Sequence, residues 1–129
     1  MRTSGKDMLI QSDGPVLCSG QFVLKRTQNV IKLFENMLDF MNRTGQHDQT
    51  AMNKVIGKSN VNWDLLTDRY FCYGAMNGHK RWDGTDNIII PCDMVSHHLN
   101  WTVGVDNKYK LYQAVKSLVT KRREDNTCQ

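Results

Sequence analysis

Apolar residues recur at two different spacings along this chain, and the two spacings predict both strands and helices. Four short apolar runs are typical of strands: residues 7–11, 16–24, 61–66 and 88–90. The second run is interrupted by Ser19 and Gly20, and a glycine inside a strand indicates a bulge or a close approach of another group. A Gly-Pro pair at 14–15 predicts a turn between the first two strands.

Three segments carry apolar residues at helical spacing. Thr27 is a suitable N-cap for a helix to about Asn42, and Asp48 for a second helix that Gly57 closes. A last helix runs from about residue 108 to 121. The first has an apolar stripe of Val30, Ile31, Leu33, Phe34, Met37, Leu38 and Met41, and the last has Leu111, Tyr112, Val115, Leu118 and Val119. Residues 70–84, rich in glycine and aromatics, predict a long loop. Strands alternating with helices indicate an α/β fold.

Length and composition favour an ordinary globular protein. A chain of 129 residues predicts one domain with a hydrophobic core, and 40% hydrophobic with 23% charged residues is normal for this class. The net charge of +4 mildly favours anionic ligands, but it is too small to argue for nucleic acid. Much of the excess lies at Lys121-Arg122-Arg123, near the start of a basic polar tail at 120–129.

The cysteines and sequons leave the redox compartment open. Four cysteines permit three disulfide pairings, and none of them forms a Cys-x-x-Cys pair. Sequons at Asn42 and Asn100 would accept glycans only in a secretory protein. No apolar run approaches the roughly 20 residues that span a bilayer, and residues 1–6 lack the apolar core of a signal peptide. We therefore expect no membrane segment and no targeting signal in this chain.

The segment 96–108 places an imidazole, a glycine and an ammonium group close together. We expect it to be a loop between a strand and the last helix, a position where ligands bind in open α/β sheets. His98 can ligate a divalent metal, and Lys108 can hold a phosphate. Neighbouring strand residues point to opposite faces, so only one of His97 and His98 can face a given site. A zinc site of Cys72, Cys92, His97 and His98 is an alternative.

A second candidate site lies at the start of the second helix. Asp48 and Gln49 stand at its first turn, and Asn53 lies one turn further on near the same face. A carboxylate and an amide held there can bind sugar hydroxyls. The alternative is that Asp48 only caps the helix, since aspartate is a preferred N-cap. The aromatic residues at 70–84 and Trp101 could contact sugar C–H groups, or pack a loop.

Several short motifs, in this order, resemble the nucleotide-diphospho-sugar transferase family, whose fold is the GT-A type of glycosyltransferases. The resemblance covers about residues 7–119. Its motifs are Cys18-Ser19-Gly20, Arg26-Thr27, Asp48-Gln49 with Ala51 and Asn53, Phe71 and Gly74, and His98-x-Asn100-Trp101 with Gly104 and Lys108.

The resemblance implies transfer of a sugar from a nucleotide-diphosphate donor to an acceptor hydroxyl. By analogy, Asp48 and Gln49 are the catalytic candidates that hold the donor sugar or acceptor. The substrate-binding candidates are Ser19, Gly20, Asn53, Asn100, Gly104 and Lys108. His98 is the metal candidate, for a divalent cation that is usually Mn²⁺ and that offsets the charge of the leaving diphosphate.

One departure from the family pattern limits these expectations. The family's Asp-x-Asp metal motif should precede the strand at 7–11, and no Asp-x-Asp occurs in this chain. We therefore expect residues 1–129 to form a single partial domain, the C-terminal half of a GT-A, Rossmann-like domain with a mixed sheet and flanking helices. Mn²⁺ binding would require the missing N-terminal half, since hard oxygen ligands are lacking.

Two function classes and a set of partners follow. The chain is a glycosyltransferase domain that is incomplete, or a non-catalytic remnant that acts as a binding or interaction module. The expected partners are a nucleotide-sugar donor and a glycan, protein or lipid acceptor, with no nucleic acid. An uncovered sheet edge invites self-association. The family resemblance implies the Golgi or the lumen of the secretory pathway.

Overall fold

The computed structural model describes residues 5–73, 81–84, 88 and 90–127, apart from the side chain of Cys72. The chain divides into two compact units, Met1–Thr67 and Asp68–Gln129, called here the N-terminal and C-terminal units. Each unit has its own hydrophobic core. Both mix strands and helices, so the predicted α/β class with a mixed sheet and flanking helices is confirmed.

The N-terminal unit begins with an antiparallel hairpin. Strands β1 (Met8–Asp13) and β2 (Val16–Leu24) pair with a break in register between Ile10 and Gln11, which face Phe22 and Cys18 respectively. The residues of β2 between these partners, 19–21, have no counterpart on β1, so the bulge predicted at Ser19 and Gly20 is confirmed. The predicted turn is also present, because Gly14 follows β1 with a φ of 72°.

Helix α1 (Gln28–Thr44) follows the sequence signals closely. The Thr27 side chain accepts a hydrogen bond from the Val30 N–H, and Gly45 ends the helix in the left-handed conformation, with φ 67°. Most of the predicted apolar stripe packs against the core. Ile31 and Leu38 do not, and the Leu38 side chain is 59% exposed. The apolar surface of α1 is therefore wider than the core that it covers.

Helix α2 (Asp48–Val55) differs from its prediction at both ends. His47, rather than Asp48, is the N-cap, and its ring accepts a hydrogen bond from the Thr50 N–H at 3.4 Å. Asp48 is the first helical residue, where a carboxylate favours the helix dipole. Gly57 does not close the helix, because the chain continues through a 3-10 turn at Ile56–Lys58.

A parallel strand completes the N-terminal sheet. Strand β3 (Trp63–Leu65) pairs with β1, which gives the strand order β2-β1-β3. Its position confirms the strand expected at 61–66. The buried core of this unit lies between the sheet and the two helices. Its members are Met8, Ile10, Val30, Leu33, Met37, Ala51, Met52, Ile56 and Val61.

The C-terminal unit contains two short parallel strands, and sequence patterns identified neither. Strand β4 (Tyr70–Cys72) lies where a loop was expected, and β5 (Ser96–His98) lies within the segment also predicted as a loop. Both strands are only three residues long, too short to show an alternating pattern. The strand predicted at 88–90 is wrong for Ile88 and Ile90, which are in no strand, although Ile90 is buried. Residue 89 and the family-motif glycine at 74 lie outside the described residues.

Helix α3 (Val105–Glu124) extends beyond both predicted ends. Leu111 and Val115 are buried in the core of the C-terminal unit, and Leu118 and Val119 pack against it. The assignment of Tyr112 to the apolar face is wrong, because its side chain is 46% exposed. Among the helices that the structure describes, none is long and apolar enough to cross a membrane.

Candidate functional site

In the N-terminal unit, the β2 bulge and the start of α2 are held together by side-chain hydrogen bonds. The Ser19 hydroxyl donates to the Asp48 carboxylate, with 2.9 Å between the two oxygens. Ser19 is half-buried, whereas Asp48 and Gly20 are exposed. The structure thus brings together Ser19 and Asp48, which were predicted from separate motifs. The bulge is what turns Ser19 out of the regular β2 pairing.

Asn53 connects α2 to β2 through the backbone of a single residue. Its side-chain oxygen accepts from the Leu17 N–H, and its amide donates to the Leu17 carbonyl, both at 2.8 Å. The amide donates a second bond to the Gln49 carbonyl at 2.8 Å. Both amide hydrogens are therefore used within the protein. Only a lone pair on the side-chain oxygen remains for the substrate-binding role predicted for Asn53.

A cavity of about 310 Å³ opens beside this contact within the N-terminal unit. Its polar lining presents amide, hydroxyl, imidazole and ammonium groups, which suit a hydroxylated ligand. The lining residues are Val16, His47, Gln49, Thr50, Asn53 and Lys54. Gln49 and Asn53 were predicted from the sequence, whereas His47, Thr50 and Lys54 were missed. The sequence signal that could have identified them is their helical spacing, which places them near Gln49 and Asn53 on the first two turns of α2.

Cys18, in the family motif beside Ser19, is a buried structural residue. Its side chain is 2% exposed and forms no disulfide. Burial raises the pKa of the Cys18 thiol, so the thiol stays protonated at neutral pH. A protonated, buried thiol is a poor nucleophile, and we assign Cys18 no chemistry.

In the C-terminal unit, His98 ends strand β5 and lies opposite Cys72 in the parallel register. Its neighbour His97 faces the other side of the strand, where its ring packs against Phe71 and Tyr73 at centroid distances of 5.0 and 6.5 Å. Burial lowers the pKa of His97 to about 4, and neither ring nitrogen has a hydrogen-bond partner. His97 is therefore a neutral packing residue, which leaves the predicted metal role to His98.

The connection from β5 to α3 adopts unusual backbone conformations. Trp101 has a φ of 57°, in the left-handed region. Gly104 is the N-cap of α3 with φ 85° and ψ 151°, a combination that only glycine adopts readily. No side chain caps this helix. Asn100 is half-buried and accepts a hydrogen bond from the Thr102 hydroxyl at 3.3 Å. Lys108 is exposed in the first turn of α3.

The arrangement at the start of α3 can bind an anion. The first N–H groups of a helix have no intrahelical partner, and the helix dipole adds partial positive charge there. Gly104 leaves the approach open, because a Cβ at this position would meet no atom within 4 Å. Lys108 adds a positive charge in the first turn, which also holds the carboxylate of Asp106. Phosphate groups are typical ligands of such helix ends.

The described residues do not form a metal site by themselves. Among them, no group of three or more His, Cys, Asp or Glu side chains lies close enough to hold an ion. The alternative zinc site is wrong, because Cys92 is disulfide-bonded and so offers no thiolate. The candidate site residues are divided between the two units. The N-terminal unit contains Ser19, Gly20, Asp48, Gln49 and Asn53, and the C-terminal unit contains His98, Asn100, Gly104 and Lys108.

Comparison with known proteins adds one positive finding. No curated protein and no solved structure has significant similarity to the chain. The family model described as nucleotide-diphospho-sugar transferase matches residues 2–111. The match spans the five strands that the structure describes, α1, α2 and the beginning of α3, and includes every candidate site residue. It confirms the resemblance found in the sequence, and the chain belongs to the nucleotide-diphospho-sugar transferase family.

Proposed function

We propose that this chain provides the donor-binding part of a glycosyltransferase, which moves a sugar from a nucleotide-diphosphate donor to an acceptor hydroxyl. The observation that carries the proposal is the start of α3, in a chain of this family. There an uncapped helix end, the glycine-only conformation of Gly104 and the Lys108 ammonium meet. Together they suit the diphosphate of a nucleotide-sugar.

The roles of the remaining candidates follow from their chemistry. Asp48 and Gln49 are proposed to hold the donor sugar or the acceptor, because carboxylate and amide groups bond sugar hydroxyls. Ser19 fixes the Asp48 carboxylate through its hydroxyl, which leaves further acceptor sites on the carboxylate oxygens. Gly20 is exposed on the same bulge. In the C-terminal unit, Asn100 is proposed to contact the donor.

The divalent cation stays a proposal with limited support from this chain. His98 offers one nitrogen ligand, whereas Mn²⁺ prefers carboxylate and carbonyl oxygens. We propose that the oxygen ligands come from outside the described residues, and that Mn²⁺ strengthens donor binding only when they are present. His98→Ala should then abolish the effect of Mn²⁺, and an unchanged effect would remove His98 from the metal site.

Calorimetric titration of the chain with nucleotide-diphosphate sugars tests the proposal. We expect Lys108→Gln to weaken donor binding at least about tenfold, because a charged hydrogen bond to phosphate contributes about 1.5–3 kcal/mol. Lys110→Gln is the matched control, since it removes the same charge from an exposed position of the same helix. Absence of heat with every donor, with and without Mn²⁺, would refute donor binding by these 129 residues.

A non-catalytic role as a binding module is the second candidate, because the anion-binding groups at the start of α3 would serve binding without sugar transfer equally well. Donor binding without sugar transfer would support this alternative. We also propose self-association through the edge of the N-terminal sheet, where Leu24 on β2 is exposed beside Ile31 and Leu38 of α1. Sedimentation velocity should then show dimers that Leu38→Lys disrupts, and a monomer at all concentrations would contradict the proposal.

The Golgi or secretory lumen is the proposed location. The disulfide at Cys92 supports it, because structural disulfides persist in oxidising compartments. The sequon at Asn42 also supports it, because this asparagine is exposed near the end of α1. Glycosidase-sensitive mass at Asn42 in secretory-pathway expression would agree with the proposal, whereas a reduced Cys92 in the native protein would oppose it.

A further inference from the structure

A second cavity, of about 380 Å³, lies within the C-terminal unit between β5 and α3. One wall is a single face of α3, because its four polar residues follow one another at intervals of four, four and three positions. Those residues are Tyr112, Lys116, Thr120 and Arg123. The floor is apolar and is formed by His97, Leu99, Val115 and Val119. We call this cavity the α3 groove.

The helix that forms the groove carries the whole charge excess of the protein. Helix α3 contains six basic and two acidic residues, an excess of four, which equals the net charge of +4 for the entire chain. The rest of the sequence is therefore electrically balanced. A concentration of charge on one helix creates a local positive potential that attracts anions.

The two cations of the groove have no neutralising partner among the residues that the structure describes. Neither the Lys116 nor the Arg123 side chain forms a hydrogen bond or ion pair with any residue that the structure describes. Helix α1 behaves differently, because its Arg43 pairs with Asp39 at 3.0 Å. The groove therefore keeps both positive charges available for a ligand.

The other residues that line the groove, Tyr112 and Thr120, indicate which uncharged part of a ligand it can bind. The Tyr112 side chain is 46% exposed and lines the groove together with apolar side chains. An aromatic face next to polar groups suits a pyranose ring, which has an apolar C–H face and hydroxyls at its edge. The Thr120 hydroxyl is within the same lining and can bond such hydroxyls. The His97 nitrogens are buried and do not reach the ligand.

The spacing of the charges favours a ligand with sparse negative groups. Lys116 and Arg123 are seven positions apart, about 10 Å along the helix axis. Duplex nucleic acid carries a charge about every 1.7 Å along its axis and needs many cations to neutralise it. We propose that the α3 groove binds an acidic oligosaccharide, with carboxylate or sulfate groups on Lys116 and Arg123 and a sugar ring on Tyr112. The interpretation of this ligand as the acceptor of the transferred sugar rests on the proposed transferase function.

Affinity for a sulfated hexasaccharide, measured by calorimetry with the whole chain, tests the groove. We expect K116Q/R123Q to bind at least about tenfold more weakly, because two charge-assisted contacts are lost. K110Q/K121Q is the matched control, since it removes two charges from α3 outside the groove and should change affinity by less than about threefold. Y112S should weaken binding about threefold or more, while Y112F, which keeps the ring, should not. Circular dichroism verifies that each variant is folded.

Several outcomes would overturn the proposal. Equal losses in the two double variants would show diffuse charge attraction without a groove site. Equal or tighter binding of a single-stranded oligonucleotide, or of phosphatidylserine vesicles, would assign the helix to those partners instead. No binding of the hexasaccharide would remove the site. Nucleotide-sugar titrations in parallel separate the two hypotheses, because loss of donor binding affects only the transferase function and loss of hexasaccharide binding affects only the groove.

Discussion

The two units differ in how completely their polar groups are used. In the N-terminal unit, side chains tie the elements together: Thr27 caps α1, and Asn53 joins α2 to the backbone of Leu17. In the C-terminal unit, α3 begins without a side-chain cap. Lys116 and Arg123 pair with no residue that the structure describes, and the buried ring nitrogens of His97 find no hydrogen-bond partner among those residues. In the first unit, these polar side chains stabilise the fold through internal hydrogen bonds. The second keeps the cations Lys116 and Arg123, whose partners are expected to be ligands.

The core of the N-terminal unit should give the largest effect. Leu33 is fully buried among the residues of that core, so Leu33→Ala should lower the free energy of unfolding by about 2–5 kcal/mol. Amide hydrogen exchange of α1 and β1 measures the loss. Asn36→Ala, at an exposed position of the same helix, is the control and should change stability by less than about 0.5 kcal/mol. Equal effects would mean that α1 does not hold the core.

The contact between α2 and β2 should come next. Asn53→Ala leaves the N–H and carbonyl of half-buried Leu17 without their partner, so we expect a loss of about 1–3 kcal/mol in unfolding experiments. Asn29→Ala removes a single exposed hydrogen bond to the Asn60 carbonyl and serves as the comparison, at about 0.5–1.5 kcal/mol. A larger loss for Asn29 would refute the anchoring role of Asn53.

Substituting two glycines by alanine distinguishes the cost of backbone strain from the cost of a steric clash. A Cβ at Gly104 or Gly57 would meet no atom within 4 Å, but only Gly104 has a positive φ, of 85°. Gly104→Ala should therefore cost about 1–3 kcal/mol and weaken donor binding as well. Gly57→Ala should be neutral or stabilise the fold by up to about 1 kcal/mol. Thermal denaturation of both variants decides, and a harmless Gly104→Ala would show that the start of α3 tolerates other conformations.

The effect of His97 is the smallest at neutral pH and develops only in acid. Its pKa is lowered to about 4 by burial and, to a lesser extent, by His98, so below its ordinary pKa of 6.5 the unfolded chain binds a proton that the folded one does not. The stability of the C-terminal unit should be level above pH 6.5 and decline between pH 6.5 and 4.

The matched variants locate that decline. His97→Phe should flatten the pH dependence, because the aromatic contacts to Phe71 and Tyr73 persist without a titrating group. His98→Asn should flatten it less, since His98 contributes only a secondary charge effect. Hydrogen exchange of β5 and α3 from pH 4 to 7 measures both, and an unchanged decline in His97→Phe would exclude His97 as its cause.

Local signals explain why the N-terminal unit was the more predictable one. Its hairpin turn, bulge and first helix each depend on residues close in sequence, such as Gly14, Gly20 and Thr27. The N-cap of α2 shows the limit of such local signals. The structure has His47 where the sequence predicts Asp48, because both residue types can accept the capping hydrogen bond. In the C-terminal unit, strands of three residues and a buried Ile90 outside any strand leave no periodic pattern to read.

The sequence by itself determined the family, the α/β class, the helices and the order of the candidate motifs, because these depend on residue type and local spacing. The tertiary structure decided which side chains meet. It paired Ser19 with Asp48, committed Asn53 to Leu17, and packed the His97 ring against Phe71 and Tyr73. It also gathered Tyr112, Lys116 and Arg123 around the α3 groove. Contacts between residues far apart in the chain depend on packing and burial, which local spacing does not encode.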